Sequence, residues 1–219
     1  MRSGTKVNSR EIFLASGEAL VLRAGDVGVV SSMSVADLID AAPAELSRGA
    51  FTHHWPTRSA FETDLLLHVA HGIRQRSGER TARLFEIVVE NVGKKMTLRD
   101  FVLDAITRSM PQLLASVDQR VLLSLWSKAA TNETVRELLS ANWRGQDRVL
   151  AERLHLLLAV FGYEMRPGHE VGELAAALSS LVQVSFIRGL VIADDDDLAP
   201  DLWADMVVST IRAFAGPAD

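Results

Sequence analysis

The run best able to recognise another molecule is Ser47-Arg48-Gly49-Ala50-Phe51-Thr52-His53-His54-Trp55, followed by Pro56-Thr57-Arg58. A guanidinium can donate two parallel hydrogen bonds to guanine in a DNA major groove, worth ~1–3 kcal/mol of discrimination. Hydroxyls and imidazoles can reach phosphates or bases. Phe51 and Trp55 stand four apart, so they share a helix face and should pack inward, setting the helix angle. Arg58 falls in the first turn of the next helix, where exposed amides also face anions.

Other chemistry-bearing residues are few. His53 and His54 project about 100° apart on a helix, which argues against a shared metal. His68 and His71 are three apart, but no acidic or cysteine partner is evident nearby. Asp194-Asp195-Asp196-Asp197 lacks the glycine and terminal glutamate of a calcium loop and reads as solvated. The chain has no cysteine, hence no disulfide framework and no thiolate site. G-x-S-x-G, H-E-x-x-H, Walker and dinucleotide glycine patterns are missing, and His169-Glu170 with Glu173 lacks the second histidine of a zincin. No enzyme activity, catalytic residue, metal or cofactor is expected.

The elements that would position these residues follow from composition and periodicity. The chain has 219 residues, 48% hydrophobic and 23% charged, enough for one large or two small domains with a sizeable core. The net charge is −5. Residues 1–78 carry eight basic and eight acidic side chains, so the remainder holds the whole excess. The neutral part could hold DNA through placed contacts but not through bulk charge. Residues 1–10 are polar and lack the apolar stretch of a signal peptide. No run is expected to reach the roughly 18 apolar residues of a membrane helix. The most apolar segment, 174–193, reads as a buried helix in a soluble, cytoplasmic protein without membrane contact.

Apolar residues recur at spacings of three and four, and strict alternation is missing, so the expected class is all-α. A first helix over 10–25 would bury Ile12, Ala15, Ala19 and Leu22 and stop at Gly25. Residues 25–33 read as a loop. Ser34 caps a helix over 35–42, ended by Pro43. A third helix covers 45–55. A fourth starts at Pro56-Thr57, with Phe61, Leu65, Val69 and Ile73 on one face, and Ser77-Gly78 should break it. Further helices are expected over 79–92 (stopped by Gly93), from Thr97 toward 115, and over 119–130, 132–161, 170–193 and 200–215, with a turn at Pro167-Gly168. In the 170–193 helix, Leu174, Leu178, Leu181, Val182 and Phe186 form one stripe, and Val184, Ile187 and Val191 a second. Packing within one chain needs only the first stripe, so the second suggests a partner helix.

Two short helices joined by a turn, between a leading and a following helix, make a helix-turn-helix pattern. The stretch from Arg48 through Phe61 resembles the TetR family of bacterial transcriptional regulators. Gly49, Ala50, Phe51, His54, Trp55, Thr57 and Arg58 fit the outline of that family's recognition helix and the start of its fourth helix. Ser34-Val35-Ala36-Asp37-Leu38-Ile39 resembles its second helix, and residues 172–216 its last two. Three departures stand out. Thr52 replaces a tyrosine that typically contacts phosphate, the turn holding Pro43-Ala44-Glu45 is longer and lacks its glycine, and the loop over 25–34 is long.

The resemblance implies an all-α architecture with a helix-turn-helix domain over 1–56, a connecting helix over 57–78, and an effector-binding and dimerisation domain over 79–219. It implies a homodimer through the last two helices, about 170–215, with both recognition helices in successive major grooves of operator DNA. The expected DNA contacts are Ser34, Ser47, Arg48, Thr52, His53, His54 and Arg58. Phe101, Met110, Trp126, Trp143, His155 and Phe186 are expected to line a pocket for a small apolar or amphipathic effector. Binding there would release the DNA, repression being the family's usual mode. The alternative is a TetR-like helical dimer with weakened DNA binding, acting as a ligand-binding or protein-interaction module.

Overall fold

A computed structural model of the chain describes residues 8–91, 96–191 and 199–218. Gly93 and Asp194-Asp195-Asp196-Asp197 lie outside the described residues, as does the side chain of Val191. The helices are α1 (Ser9–Ala24), α2 (Val35–Asp40), α3 (Arg48–His54), α4 (Arg58–Asn91), α5 (Leu98–Leu114), α6 (Val117–Ala129), α7 (Glu133–Val160), α8 (Val171–Val191) and α9 (Pro200–Phe214). The class is all-α, as expected. One short antiparallel pair joins β1 (Tyr163–Met165) to β2 (Ala215–Pro217). Three residues per strand are too few for alternation to register in sequence.

Local signals set most helix ends. Asn8 caps α1, and Gly25 ends it at φ 69, where its amide reaches the Val21 carbonyl; glycine enters that left-handed region without a Cβ penalty. Ser34 with Asp37 and Thr97 with Asp100 each form a reciprocal capping box, for α2 and α5. Ser47 accepts from the Ala50 amide, so α3 begins at Arg48 and not at residue 45. Similarly, α2 stops at Asp40, two residues short of the expected end.

Four further expectations are corrected. Residues 27–31 are not open loop but a 3-10 turn, Val27–Ser31, opened by Asp26, whose side chain accepts from the Gly28 amide, and buried through Val27 and Val30. Ser77-Gly78 does not break α4, which runs 34 residues. A glycine inside a helix costs about 1 kcal/mol, which packing on either side can outweigh. On α1 the buried residues are Phe13, Leu14, Ser16, Gly17 and Val21, not the Ile12, Ala15, Ala19, Leu22 face. Leu65 comes so close that a Cβ on Gly17 would sit 2.8 Å from its Cδ1, so beside Phe13, Leu14 and Val21 the inner face includes a position marked only by its lack of a side chain. Lastly, residues 171–189 of α8 are long and apolar enough to cross a membrane by length and composition, and only 28% of that window is buried. The expectation that no segment would qualify, and that this one is a buried helix, is corrected accordingly.

The chain divides into two compact units. One comprises Met1–Arg76 with Val117–Ser140, so α6 and the start of α7 group with the helix-turn-helix segment. Its core includes Phe13, Leu38, Phe51, Trp55, Phe61, Leu65, Val121 and Leu125. Arg76 of α4 ties α1 to α6: its Nη1 donates to Glu18 Oε1 at 2.9 Å and its Nε to Asp118 Oδ1 at 3.0 Å. The Val27 amide donates to Ser124 Oγ at 3.0 Å.

The other unit comprises Ser77–Ser116 with Ala141–Asp219. Its core joins Leu98, Phe101 and Val102 of α5, Leu154, Leu157 and Leu158 of α7, Leu174 and Leu178 of α8, and Ala204, Val208 and Ile211 of α9. The expected first stripe of α8 is buried at Leu174, Leu178 and Phe186, while Leu181 is half-buried and Val182 exposed. The second stripe is open: Val184 is 63% exposed and Ile187 39%, and on α9 Leu202 is 52% and Met206 39%.

Candidate nucleic-acid interface

α3 presents two faces. Phe51 and Trp55 turn inward at 6% and 2% exposure. Trp55 packs edge-on against Phe13 at 5.9 Å and Phe61 at 5.1 Å, and tilted against Phe51 at 5.2 Å. This aromatic cluster joins α1, α3 and the start of α4, and such pairs add to the area they bury. The opposite face is open: Ser47, Arg48, Gly49, Thr52 and His53 are all exposed. Without a bulky side chain at Gly49, the backbone between Arg48 and Thr52 can approach a flat or grooved partner closely.

The expected contact residues differ in how free their polar atoms are. Ser34 and Ser47 are exposed, and each hydroxyl accepts from a helix amide as an N-cap. Thr52 donates its hydroxyl to the Arg48 and Gly49 carbonyls, both at 3.1 Å, leaving its oxygen as an acceptor. His54 is half-buried, with Nε2 2.7 Å from Ser9 Oγ on α1. Arg58 is turned inward: Nε donates to Glu62 Oε1 at 3.0 Å, and Nη2 donates to the Val30 carbonyl. It braces the 3-10 turn against α4 and lies over the Phe61 ring at 5.3 Å.

Sequence reasoning missed Asp64. Its Oδ2 accepts from Trp55 Nε1 at 2.7 Å and from Arg10 Nη2 at 2.6 Å. One carboxylate thus ties the end of α3 to α1 and α4. Burial pushes the Asp64 carboxyl up, but the hydrogen bonds from Trp55 and Arg10 and the Arg10 charge outweigh it, so it lies below its ordinary value of 3.8. A carboxyl held low stabilises the fold above that ordinary value and ceases to as pH falls through its own lower one. Asp64→Asn is expected to flatten the acid limb of the melting temperature, measured from about pH 5 to 2. An unchanged limb would show that the latch does not hold the head.

The six residues expected to line a pocket fall in different surroundings. Trp126 packs beside the core of the first unit. The other five belong to the second unit. There Phe101 stacks on Phe161 at 5.5 Å, Phe186 is buried at 2%, Met110 and Trp143 are half-buried, and His155 is exposed. A shallow cleft is lined by Thr63, Leu66, Leu67, Asn132, Thr134, Val135 and Leu138, none of them among the six. Among the polar atoms that the second unit buries without a hydrogen-bond partner among the described residues are Asn142 Oδ1, Trp203 Nε1 and Asp104 Oδ2. Their helix spacing gives no signal of this. Neither histidine pair gathers a metal-like set: His68 Nε2 lies 3.1 Å from Glu18 Oε2, and His71 Nδ1 lies 3.1 Å from Arg74 Nη2.

No family model matches the sequence, and no curated protein matches it in sequence. Solved structures do match over almost the whole chain. Reduced NemR of E. coli is 20% identical with a TM-score of 0.58, covering 97% of this chain and 100% of that one. A TetR-family transcriptional regulator from Cytophaga hutchinsonii is 14% identical with a TM-score of 0.55, covering 94% of each chain. A transcriptional regulator from Saccharomonospora viridis, solved in complex with choline, is 17% identical with a TM-score of 0.54, covering 93% of this chain and 95% of that one. The helix order, the aromatic-backed short third helix and these matches lead to one conclusion: the chain has the fold of the TetR-family transcriptional regulators.

Proposed function

We propose that the chain is a homodimeric, ligand-responsive transcriptional regulator of the TetR type, acting in the cytoplasm and released from operator DNA by a small apolar or amphipathic effector. The observation that carries this reading is the open polar face of α3, Ser47, Arg48, Thr52 and His53, backed by a buried aromatic cluster. A rigid helix of this kind suits a major groove. The helix-turn-helix segment and residues 57–78 form the reading head and its connection, and the later helices hold the effector. Asn142 and Trp203, buried with unpartnered polar atoms, are the polar handles offered to it, and the choline bound by the Saccharomonospora viridis protein supports a small-molecule ligand.

The test is titration into labelled DNA from the gene's own upstream region at several salt concentrations. Specific binding should weaken linearly in log salt. Arg48→Ala should lower the preference for the target over random DNA by about 5- to 150-fold, the equivalent of losing one bidentate base contact. Equal affinity for both duplexes in the unaltered protein would defeat the reading.

Dimerisation rests on the open stripes of α8 and α9: Val184, Ile187, Leu202 and Met206. A second copy bringing the same stripes would bury them in a four-helix bundle. Light scattering at micromolar concentration should give two chains per particle, and Val184→Glu with Leu202→Glu should give one. One chain per particle in the unaltered protein would refute the dimer. A second reading, a dimer that binds ligand or protein but reads DNA weakly, is favoured by one observation. The Thr52 hydroxyl proton and the Arg58 guanidinium are both spent on internal partners.

A further inference from the structure

We propose that Thr52 and the bare backbone at Gly49 form a notch on α3 that reads the C5-methyl group of a thymine in the major groove. This rests on the DNA-binding reading and deepens it, by naming a base that the head selects and the atoms that select it. The first observation is the way Thr52 bonds to its own helix. Its hydroxyl donates to the Arg48 and Gly49 carbonyls, both at 3.1 Å. A phosphate oxygen needs a donor, and the one hydroxyl proton of Thr52 is spent. The threonine Cβ carries an oxygen branch and a methyl branch. With the oxygen turned back on the helix, the methyl is the branch this exposed residue offers to a partner. A thymine methyl is the apolar group that the major groove presents, and a threonine methyl can cover it.

Gly49 supplies the room. It lies three residues before Thr52 and four before His53, so both side chains are its neighbours on the helix surface, and all three residues are exposed. Nothing inside the protein calls for glycine at this position. Its φ is not among the positive ones, which belong to Gly25, Gly162 and Gly168. A Cβ added there would meet Ser47 Oγ at 3.8 Å, an ordinary contact. Alanine would also make the better helix. Gly49 is thus required neither by the backbone nor by packing, and the space above it is left for something outside the chain. Arg48 stands one turn before Thr52, roughly 6 Å along the helix. That is less than two base-pair steps of about 3.4 Å each, so the thymine should lie within about two base pairs of the guanine that Arg48 can bind.

The test uses a duplex enriched by the full chain from a randomised library, an unrelated duplex of equal length, and the enriched duplex with single thymines replaced by deoxyuridine. That replacement removes the methyl and keeps every base-pairing atom. At a thymine close to a guanine it should weaken binding by about fourfold, the worth of one buried methyl-sized group. Thr52→Ser keeps the hydroxyl and drops the methyl, so it should bind the thymine and deoxyuridine duplexes alike. Thr52→Val keeps a methyl and drops the hydroxyl, so it should preserve the difference. Gly49→Ala fills the notch, so it should lose the difference while melting no lower than the unaltered protein. Melting followed by circular dichroism checks that each variant folds. The inference is overturned, and the DNA reading left standing, if no thymine is sensitive to deoxyuridine, or if the difference survives in Thr52→Ser or in Gly49→Ala. It is overturned equally if Thr52→Val loses the difference, which would assign the contact to the hydroxyl. No preference for the enriched duplex over the unrelated one overturns both.

Discussion

Trp55→Ala is expected to lower the stability of the first unit by about 3–5 kcal/mol, the usual cost of truncating a buried aromatic. Trp55 is 2% exposed and touches Phe13, Phe51 and Phe61, so its removal opens a hole among three helices that cannot close without moving one of them. It also strands Asp64, which would keep only Arg10 as a partner. Trp55→Phe separates the two effects. A six-membered ring survives, while the N–H and the pyrrole part of the indole are lost, which should cost at least the roughly 1.5–3 kcal/mol of a hydrogen bond to a charged group and less than the alanine variant. Denaturant unfolding followed by circular dichroism measures both. If alanine unfolds at the midpoint of the unaltered protein, the aromatic cluster is not what holds α3 in place. DNA binding should fall with the alanine variant before unfolding is complete, because the reading face is displayed from the opposite side of the same short helix.

Asp118→Ala is the second large effect. Its carboxylate is 5% exposed and receives the Arg76 Nε at 3.0 Å. Breaking a buried pair leaves an unpaired charge and costs several kcal/mol. Here Arg76 is 35% exposed and keeps Glu18, so solvent and the second partner relieve part of that. We expect about 2–3 kcal/mol, with the contact between α6 and α1 loosened first. Arg108→Ala, which removes an exposed pair to Asp104 one helical turn away, should cost no more than ~0.5 kcal/mol. Comparable losses in the two variants would refute the claim that burial distinguishes them.

What was legible in the sequence was local. The capping residues Ser34, Ser47 and Thr97 act on amides three residues ahead. Gly25 ends α1 because it alone accepts the required dihedral without cost. The split of α3 into Phe51 and Trp55 inside, and Arg48 and Thr52 outside, follows from 3.6 residues per turn. The helix-turn-helix pattern and the open second stripe of α8 follow from the same periodicity.

The rest depended on partners remote in sequence. Nothing near Gly17 announces that Leu65 will occupy its side, so the spacing of apolar residues alone points to a face of α1 other than the buried one. Gly78 looks like a stop because its intrinsic penalty is visible in sequence, yet α4 runs through it. Arg58 read as an anion contact until the fold brought the Val30 carbonyl to it across 28 residues. Asp64 carried no signal at all, because its importance comes from meeting Trp55 and Arg10 at once. Aromatic type shows which side chains prefer burial, but not which of them share a wall.

By itself, then, the amino-acid order determined the class, the caps and the sidedness of each short helix, all interactions closing within about four residues. Only the tertiary structure decided which polar atoms remain free to meet another molecule. A charge is claimed by whichever partner the fold brings within hydrogen-bonding distance, and that distance is unrelated to separation along the chain.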